Sequence, residues 1–518
     1  MRVRIRFIGA VALFCLLLAL AVVAFAVRTP AIITDSDFAV TELYVELATR
    51  GELLAGPYSR FGWHHPGPLY FYVIAPLYAL SGDRAAVLYA AAAAINFVAI
   101  TAMAFVLARE SRLVTASVVL ACAAFAFRVP RFLASPWTAH VPVLPSLTFL
   151  TFAAAVMNGR ITLMPGMIVF GSFAAQTHVG FAPLVLLVAA AAIVTAMSDR
   201  AARPALRRSI IASAGLGLLL WLPSILESIR NQGENPASLW RFFVTDADAG
   251  HSVSEALRNG SYGLMALFRP DFDLPWGGHF GLDYLSWCLV GAATETVLLV
   301  VVGWWHITHQ RRFEAYLAFI ALAATLITVL GLMRIRGDIL NHDLFRVAAI
   351  GVFNAGVLGA AGVRASAAAA RVRQMPASIS VMVVVIAVAF VSILSVRDID
   401  SLTAYERRQR SRQAIVAAHA AVRDYLQRNG LRKPLLQIGN DRWGDAAGVM
   451  LRLVQDETPV AVKDAQSMFT DRFTAVGDED VLITLADLEL HRALRGAPGN
   501  TVLLEAFPLF VDASRLGR

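Results

Sequence analysis

TDSDFAVTELYVELATRGELLAGPYSRFGWHHPGPLYFY, residues 34–72, follows directly on the first apolar run of the chain. It gathers Asp35, Asp37, Glu42, Glu46, Arg60, His64 and His65 into one short segment, with aromatic residues between them. A segment that only joins two apolar runs does not need this inventory. The runs on either side, near 7–27 and 84–107, each approach the roughly 20 residues an α-helix needs to cross a bilayer. The stretch therefore reads as a chemically equipped loop between two membrane helices.

The rest of the chain repeats the apolar theme. Of 518 residues, 58% are hydrophobic and only 16% charged, against about 25% charged in a soluble domain. Mean hydropathy is +0.62. The net charge of +8 does not point to nucleic acid, because the arginines gather at the ends of apolar runs, as the positive-inside rule requires. Lys433 and Lys463 are the only lysines, so no intramembrane lysine offers itself as a base or Schiff-base former. Cys15, Cys122 and Cys288 fall in or beside apolar runs without metal-ligand spacing and read as small core residues.

About eleven spans are expected, near 7–27, 84–107, 113–129, 139–157, 162–177, 180–197, 209–224, 284–306, 314–333, 344–364 and 377–396. The first carries Arg2, Arg4 and Arg6 ahead of about 20 apolar residues, longer than a usual signal core, and reads as an uncleaved helix. Alternate loops then hold Arg109 and Arg112, Arg160, Arg200 to Arg208, Arg311 and Arg312, and Arg364 to Arg373. These belong on the cytoplasmic side. The opposite side receives 28–83, 130–138, 225–283, 334–343 and everything after 397. The expected domains are thus a membrane domain, 1–396, and an extracytoplasmic one, 397–518. In the latter, Leu402 to Asn429 reads as an amphipathic helix stopping at Gly430. Short strand-like runs follow at 435–439, 459–463, 481–486 and 501–507, the pattern of a small α/β domain.

Taken in order, the first 110 residues resemble the GT-C superfamily of integral-membrane glycosyltransferases. The match is closest to the branch of protein O-mannosyltransferases and the aminoarabinose transferase of lipid A. The shared pattern is a span, an acidic residue (Asp37), an amphipathic helix ending at Gly51, an aromatic–His–Pro segment (His64-His65-Pro66-Gly67-Pro68), a short apolar helix (69–81) and a second span from Arg84. Trp137 before Pro142 and the Gln176-Thr177-His178 turn extend it weakly. The resemblance implies an inverting transferase that moves a sugar from a polyprenyl-phosphate carrier to an extracytoplasmic glycan, lipid or protein hydroxyl. It also implies a multi-pass place in a bacterial inner membrane, with the site on the outer face. It puts the catalytic carboxylate at Asp37.

The residues support this independently. Such a transfer needs a carboxylate to take the acceptor's proton, cationic donors to hold the departing phosphate, and a position within reach of a lipid head group. Asp35 and Asp37 lie just past the first span. Asp35 is the second choice as base, its competing reading being a helix N-cap. As Asp-Ser-Asp the pair also offers oxygen ligands to a divalent cation such as Mg or Mn. Glu42 and Glu46 share one helix face, as candidate ligand contacts or simply as the wet side of a surface helix. Tyr58, Arg60, His64 and His65 stand on the rigid Pro-rich loop as contacts for phosphate or sugar. Arg131 and His178 belong to outer turns. Arg334, Arg336 and Arg346 break the charge rule about an outer loop, IRGDILNHD, which suggests binding of polyprenyl phosphate. Their competing reading is an ion pair with Asp338 or Asp343. The long loop 225–283 holds Glu227, Arg230 and Arg241, with Trp240 as an interfacial anchor, and its tail with Trp276 and His279 suggests an acceptor cleft or a lid, structural packing being the competing reading. Glu295, inside a span, is a functional candidate by default, its competing reading being a pair with an arginine or an asparagine such as Asn96. The alternative class is a transporter or lipid flippase, whose polar groups would concentrate at mid-membrane rather than in outer loops. A scaffold that has lost catalysis is a third reading.

Overall fold

The computed structural model describes residues 2–198, 203–246, 250–269, 281, 283–369, 377–407, 411–439, 441–463 and 468–516. Every one of the eleven apolar runs is helical. They form α1 (Arg2–Arg28), α4 (Ala86–Glu110), α5 (Arg112–Arg128), α6 (Val143–Met157), α7 (Met164–Thr177), α8 (Ala182–Ser198), α9 (Arg203–Arg230), α12 (Leu285–Thr308), α13 (Arg312–Gly331), α14 (Asn341–Ala369) and α15 (Ala377–Arg407). Among the described residues, seven helices are long and apolar enough to cross a membrane, and the others, α6 and α7 included, are shorter. Outside this series lie α2 (Ser36–Thr49), α3 (Leu69–Leu80), α10 (Glu234–Trp240), α11 (Val253–Leu264), α16 (Ser411–Asn429), α17 (Trp443–Gln455) and α18 (Leu488–Leu494).

The chain folds as two compact units that do not follow chain order. One comprises residues 65–69 and 92–399; the other joins 1–64, 70–91 and 400–518. The first is the helical bundle. Its core is a single apolar cluster running from Ala99 to Leu394. Close helix contact is bought with glycine: a side chain at Gly351 would strike the Leu264 carbonyl, and one at Gly356 the Val118 backbone. Between apolar helices, such small residues let backbones approach where lipid provides no hydrophobic drive. Glu295 sits buried in this core and is hydrogen-bonded to Asn354. Asn96 instead donates to the Leu133 carbonyl at 2.9 Å. The partner of Glu295 is thus a bundle asparagine, as the competing reading has it, but Asn354 rather than the example Asn96.

The second unit holds the segment 34–64 and the C-terminal α/β fold. Its sheet has the order β2-β1-β3-β5-β4, with β1 (Pro434–Ile438), β2 (Ala461–Val462), β3 (Val481–Ala486), β4 (Asn500–Ala506) and β5 (Leu509–Arg515). β1 pairs in parallel with β2 and β3, while β5 runs antiparallel to both β3 and β4. The four expected strands are present, but β5 was missed. It is the strand that joins the parallel half to the hairpin, and its Phe507-Pro508 start disguised it as a loop. Of the helix expected over 402–429, residues 402–407 belong to α15 and Ser411–Asn429 form α16, which ends before Gly430, whose φ is +66°; residues 408–410 lie outside the described ones.

Candidate functional site

In the unit built from 1–64, 70–91 and 400–518, α2 carries the acidic residues. Asp35 occupies its N-cap position in extended conformation, but its side chain makes no capping bond. Ser36 follows at φ +51°, a left-handed conformation uncommon for a non-glycine residue. Asp37 comes next, half-buried in the first turn. The helix stops where Gly51 turns left-handed at φ +69°, as its place in the sequence suggested.

The two aspartates point to different partners. Asp37 Oδ1 accepts a hydrogen bond from the Tyr58 hydroxyl. Asp35 Oδ1 lies 3.5 Å from Arg412 Nη2 on α16. Tyr58 is held by backbone pairing with His64, and burial together with the Asp37 charge pushes its phenol pKa up. It therefore stays a hydrogen-bond donor, with Asp37 as acceptor. The His64 Nδ1 lies 3.2 Å from the Gly56 carbonyl and donates to it. Burial pushes the His64 pKa down, so near neutral pH the ring is uncharged and presents Nε2 as an acceptor. Arg60 lies exposed on the same loop, over the ring of Phe61.

Glu42 and Glu46 are not the wet face of a surface helix. Both are buried, at 4% and 5% exposure, because α2 is enclosed along residues 39–48. Glu42 accepts from Thr34 Oγ1 at 2.6 Å and from the Tyr78 hydroxyl at 2.9 Å, and Gln455 Nε2 on α17 bonds the same hydroxyl at 2.9 Å. Burial raises the Glu42 carboxyl to about 7, against the pull of those two hydroxyls. Glu46 pairs with Arg50 at 2.6 Å, and Arg50 also donates to the Val454 carbonyl. The sequence offered no signal for Tyr78 or Gln455, which come from distant parts of the chain.

In the bundle unit, the segment 65–69 docks on the turn between α7 and α8. His65 Nδ1 accepts the Val179 amide at 3.0 Å. Gln176 accepts the Leu69 amide through Oε1 and the Gly67 amide through its carbonyl, and it donates to the Leu220 carbonyl. A Cβ on Gly67 would overlap Gln176 and Ser224, which explains the glycine between two prolines. His178 stacks 4.6 Å from His65, and its Nδ1 accepts from Gly180. With Nδ1 accepting on both rings, the neutral tautomers present Nε2–H. Burial, reinforced by His65, pushes His178 well below the ordinary imidazole range. The fixed positive charge of this cluster is Arg346, buried on α14, with a guanidinium nitrogen 2.7 Å from where a Gly180 side chain would stand. Trp137 lies against His140 and His342 at 4.9 and 5.0 Å, and His140 bonds Ser135.

The remaining expected residues are dispersed in the same unit. Arg336 donates to the Phe242 and Asp246 carbonyls, pairs with the Asp246 carboxylate at 3.5 Å and covers the Phe242 ring. It braces the loop 241–246, with Asp246 rather than Asp338 or Asp343 as its acid. Arg334 ends a short 3-10 turn. Arg131, left-handed at φ +72°, gives its backbone amide to Asp398. Glu227 binds Asn231, and Trp240 is exposed. Arg230 ends α9, and Arg241 follows α10. Trp276 and His279 lie outside the described residues. No group of three His, Cys, Asp or Glu side chains among the described residues forms a metal-ion donor set, and Asp35 and Asp37 diverge toward an arginine and a tyrosine.

No family model matches the chain, and neither does any curated protein. Two crystal structures of ArnT from Cupriavidus metallidurans share its fold. The form bound to undecaprenyl phosphate is 16% identical with a TM-score of 0.52. The apo form is 14% identical with a TM-score of 0.51. Each alignment covers 98% of both chains. The chain thus shares the fold of these two structures over 98% of its length.

Proposed function

We propose that this chain is a membrane glycosyltransferase that takes a sugar from a polyprenyl-phosphate carrier and passes it to an extracytoplasmic glycan, lipid or protein hydroxyl. The observation that carries the reading is the Asp37 carboxylate, oriented by the Tyr58 hydroxyl just past the first apolar helix. It stands in a chain with the fold of a protein crystallised with undecaprenyl phosphate. In the reaction, Asp37 takes the proton of the acceptor hydroxyl as its oxygen attacks the anomeric carbon. The bond from that carbon to the phosphate oxygen breaks, and its electron pair leaves on the polyprenyl phosphate. Attack opposite the leaving group inverts the anomeric centre.

Arginine, rather than His64, is the better source of positive charge for the phosphate, because burial pushes the His64 pKa down. Asp35 turns to Arg412 and Asp37 to Tyr58, and the reaction above is written without a divalent cation. The arginine bias of alternate loops supports a bacterial inner-membrane protein with 34–72 and the C-terminal domain on the outer face.

The test is transfer from a panel of radiolabelled polyprenyl-phosphate sugars to membrane glycan extract, using purified protein and Asp37→Asn. Transfer by the parent, lost in the variant, supports the reading. Transfer that survives in Asp37→Asn moves the base elsewhere. A parent that neither transfers from nor binds any polyprenyl phosphate returns the transporter alternative.

A further inference from the structure

Ser36 is the only residue between the two aspartates, and its left-handed backbone sets the direction in which Asp37 leaves the chain. A conformation of this kind persists only where its surroundings hold it. Here the surroundings come from residues more than 370 positions later in the chain, within the same compact unit. On one side, Arg412 of α16 faces Asp35 and is itself fixed by Glu406, through both the carboxylate and the backbone carbonyl. On the other, the Ser36 hydroxyl occupies the notch left by Gly444 at the start of α17, where any Cβ would collide with it. One turn further on, a Cβ at Gly448 would stand 3.0 Å from the Thr34 carbonyl. The far end of α17 reaches α2 again, through Gln455 on the Tyr78 hydroxyl that donates to Glu42, and through the Val454 carbonyl on Arg50, just past the helix.

We infer that Arg412 and the Gly444 notch are positioning elements for Asp37, and that Asp35 is the anchor they hold rather than a second base. The C-terminal domain is then a working part of the active site: it fixes the angle of a carboxylate that belongs to the N-terminal segment. Asp35, Arg412 and Glu406 form a chain of alternating charge. Removing Arg412 leaves two carboxylates facing each other, and the turn at Ser36 loses its restraint. Asp37 remains present and ionisable but is no longer aimed, which lowers turnover without touching donor binding.

This inference rests on the glycosyltransferase reading, and the experiment separates the two. Full-length Arg412→Gln, Arg412→Lys, Asp35→Asn and Gly444→Ala are compared with the parent for kcat and donor KM. Amide hydrogen exchange across residues 34–49 is measured on the same samples without substrate. Arg412→Gln, Asp35→Asn and Gly444→Ala are expected to lower kcat about 10- to 100-fold with donor KM within threefold of the parent, and to speed exchange across 34–38. Arg412→Lys is expected to recover at least a third of the lost turnover, and the Arg412→Gln/Asp35→Asn pair to be no worse than either single change. Asp35→Asn needs no rearrangement of Glu406 and carries the test if Arg412→Gln fails to fold. The inference is overturned if exchange across 34–38 is unchanged, if the loss appears in donor KM alone, or if Asp35→Asn is as inactive as Asp37→Asn while Arg412→Gln is fully active. Faster exchange in a chain whose parent transfers no sugar would remove the glycosyltransferase reading and leave the clamp standing.

Discussion

Glu42→Gln tests the burial of α2 through its effect on stability. Glu42 is enclosed at the centre of the helix, and its carboxyl is raised from 4.5 to about 7 in the folded chain. The cause is burial, only partly offset by the hydroxyls of Thr34 and Tyr78. The folded state therefore holds a proton between pH 4.5 and 7 that the unfolded state has released, and stability falls as pH rises through that window. Each pH unit costs about 1.4 kcal/mol, and the window spans about two and a half units, so the loss is roughly 3 kcal/mol and is complete above pH 7. Glutamine keeps the shape and cannot ionise. Its amide must turn one NH toward a hydroxyl that then accepts instead of donating, a change on the order of 1 kcal/mol. The variant should match the parent within about 1 kcal/mol at pH 5 and exceed it by roughly 2 kcal/mol at pH 8. At about 2–4 °C per kcal/mol for a domain of this size, that is a gain of about 4–8 °C. Thermal melts of both proteins in one detergent, from pH 5 to 8.5 at constant ionic strength, give the difference directly. Parallel curves for the two across that range would refute a buried, proton-binding Glu42.

Three further outcomes are expected. Tyr58→Phe removes the donor on Asp37; a hydrogen bond to a charged group contributes about 1.5–3 kcal/mol, so kcat should fall about 10- to 100-fold with donor KM little changed in steady-state assays. Gly67→Ala drives a methyl into Gln176 and Ser224 and should lower stability by about 1–3 kcal/mol, with part of the loss recovered in Gly67→Ala/Gln176→Ala, read by thermal melting. Asp512 is buried in β5 against His491 at 2.8 Å and Asn500 at 3.0 Å. Asp512→Ala strips both of their acceptor and should destabilise the C-terminal sheet by about 3 kcal/mol or more, read by the protease sensitivity of residues 434–515.

The sequence by itself determined the local structure. Apolar runs become helices because every backbone hydrogen bond is then made within the segment, so all eleven runs could be read as helical without knowing their neighbours, though only seven of the described helices reach bilayer length. Gly51 and Gly430 end their helices because each turns left-handed at little cost. The order Asp37, Gly51, His64-His65-Pro66 is a one-dimensional signal, legible in the same way. Tertiary structure alone decided which groups share an environment. Glu42 alternates with apolar neighbours like any surface glutamate, and only the packing of α17 makes it buried. Arg336 looked like a ligand for phosphate because its partner, Asp246, lies 90 residues away in the chain. β5 read as a tail because a strand following Phe507-Pro508 is recognisable only once β3 is there to pair with it. Asp35 and Asp37 looked equivalent, two carboxylates one residue apart. The left-handed turn at Ser36 separates them, giving one to Arg412 and the other to Tyr58, and the contacts that hold that turn come from the opposite end of the chain.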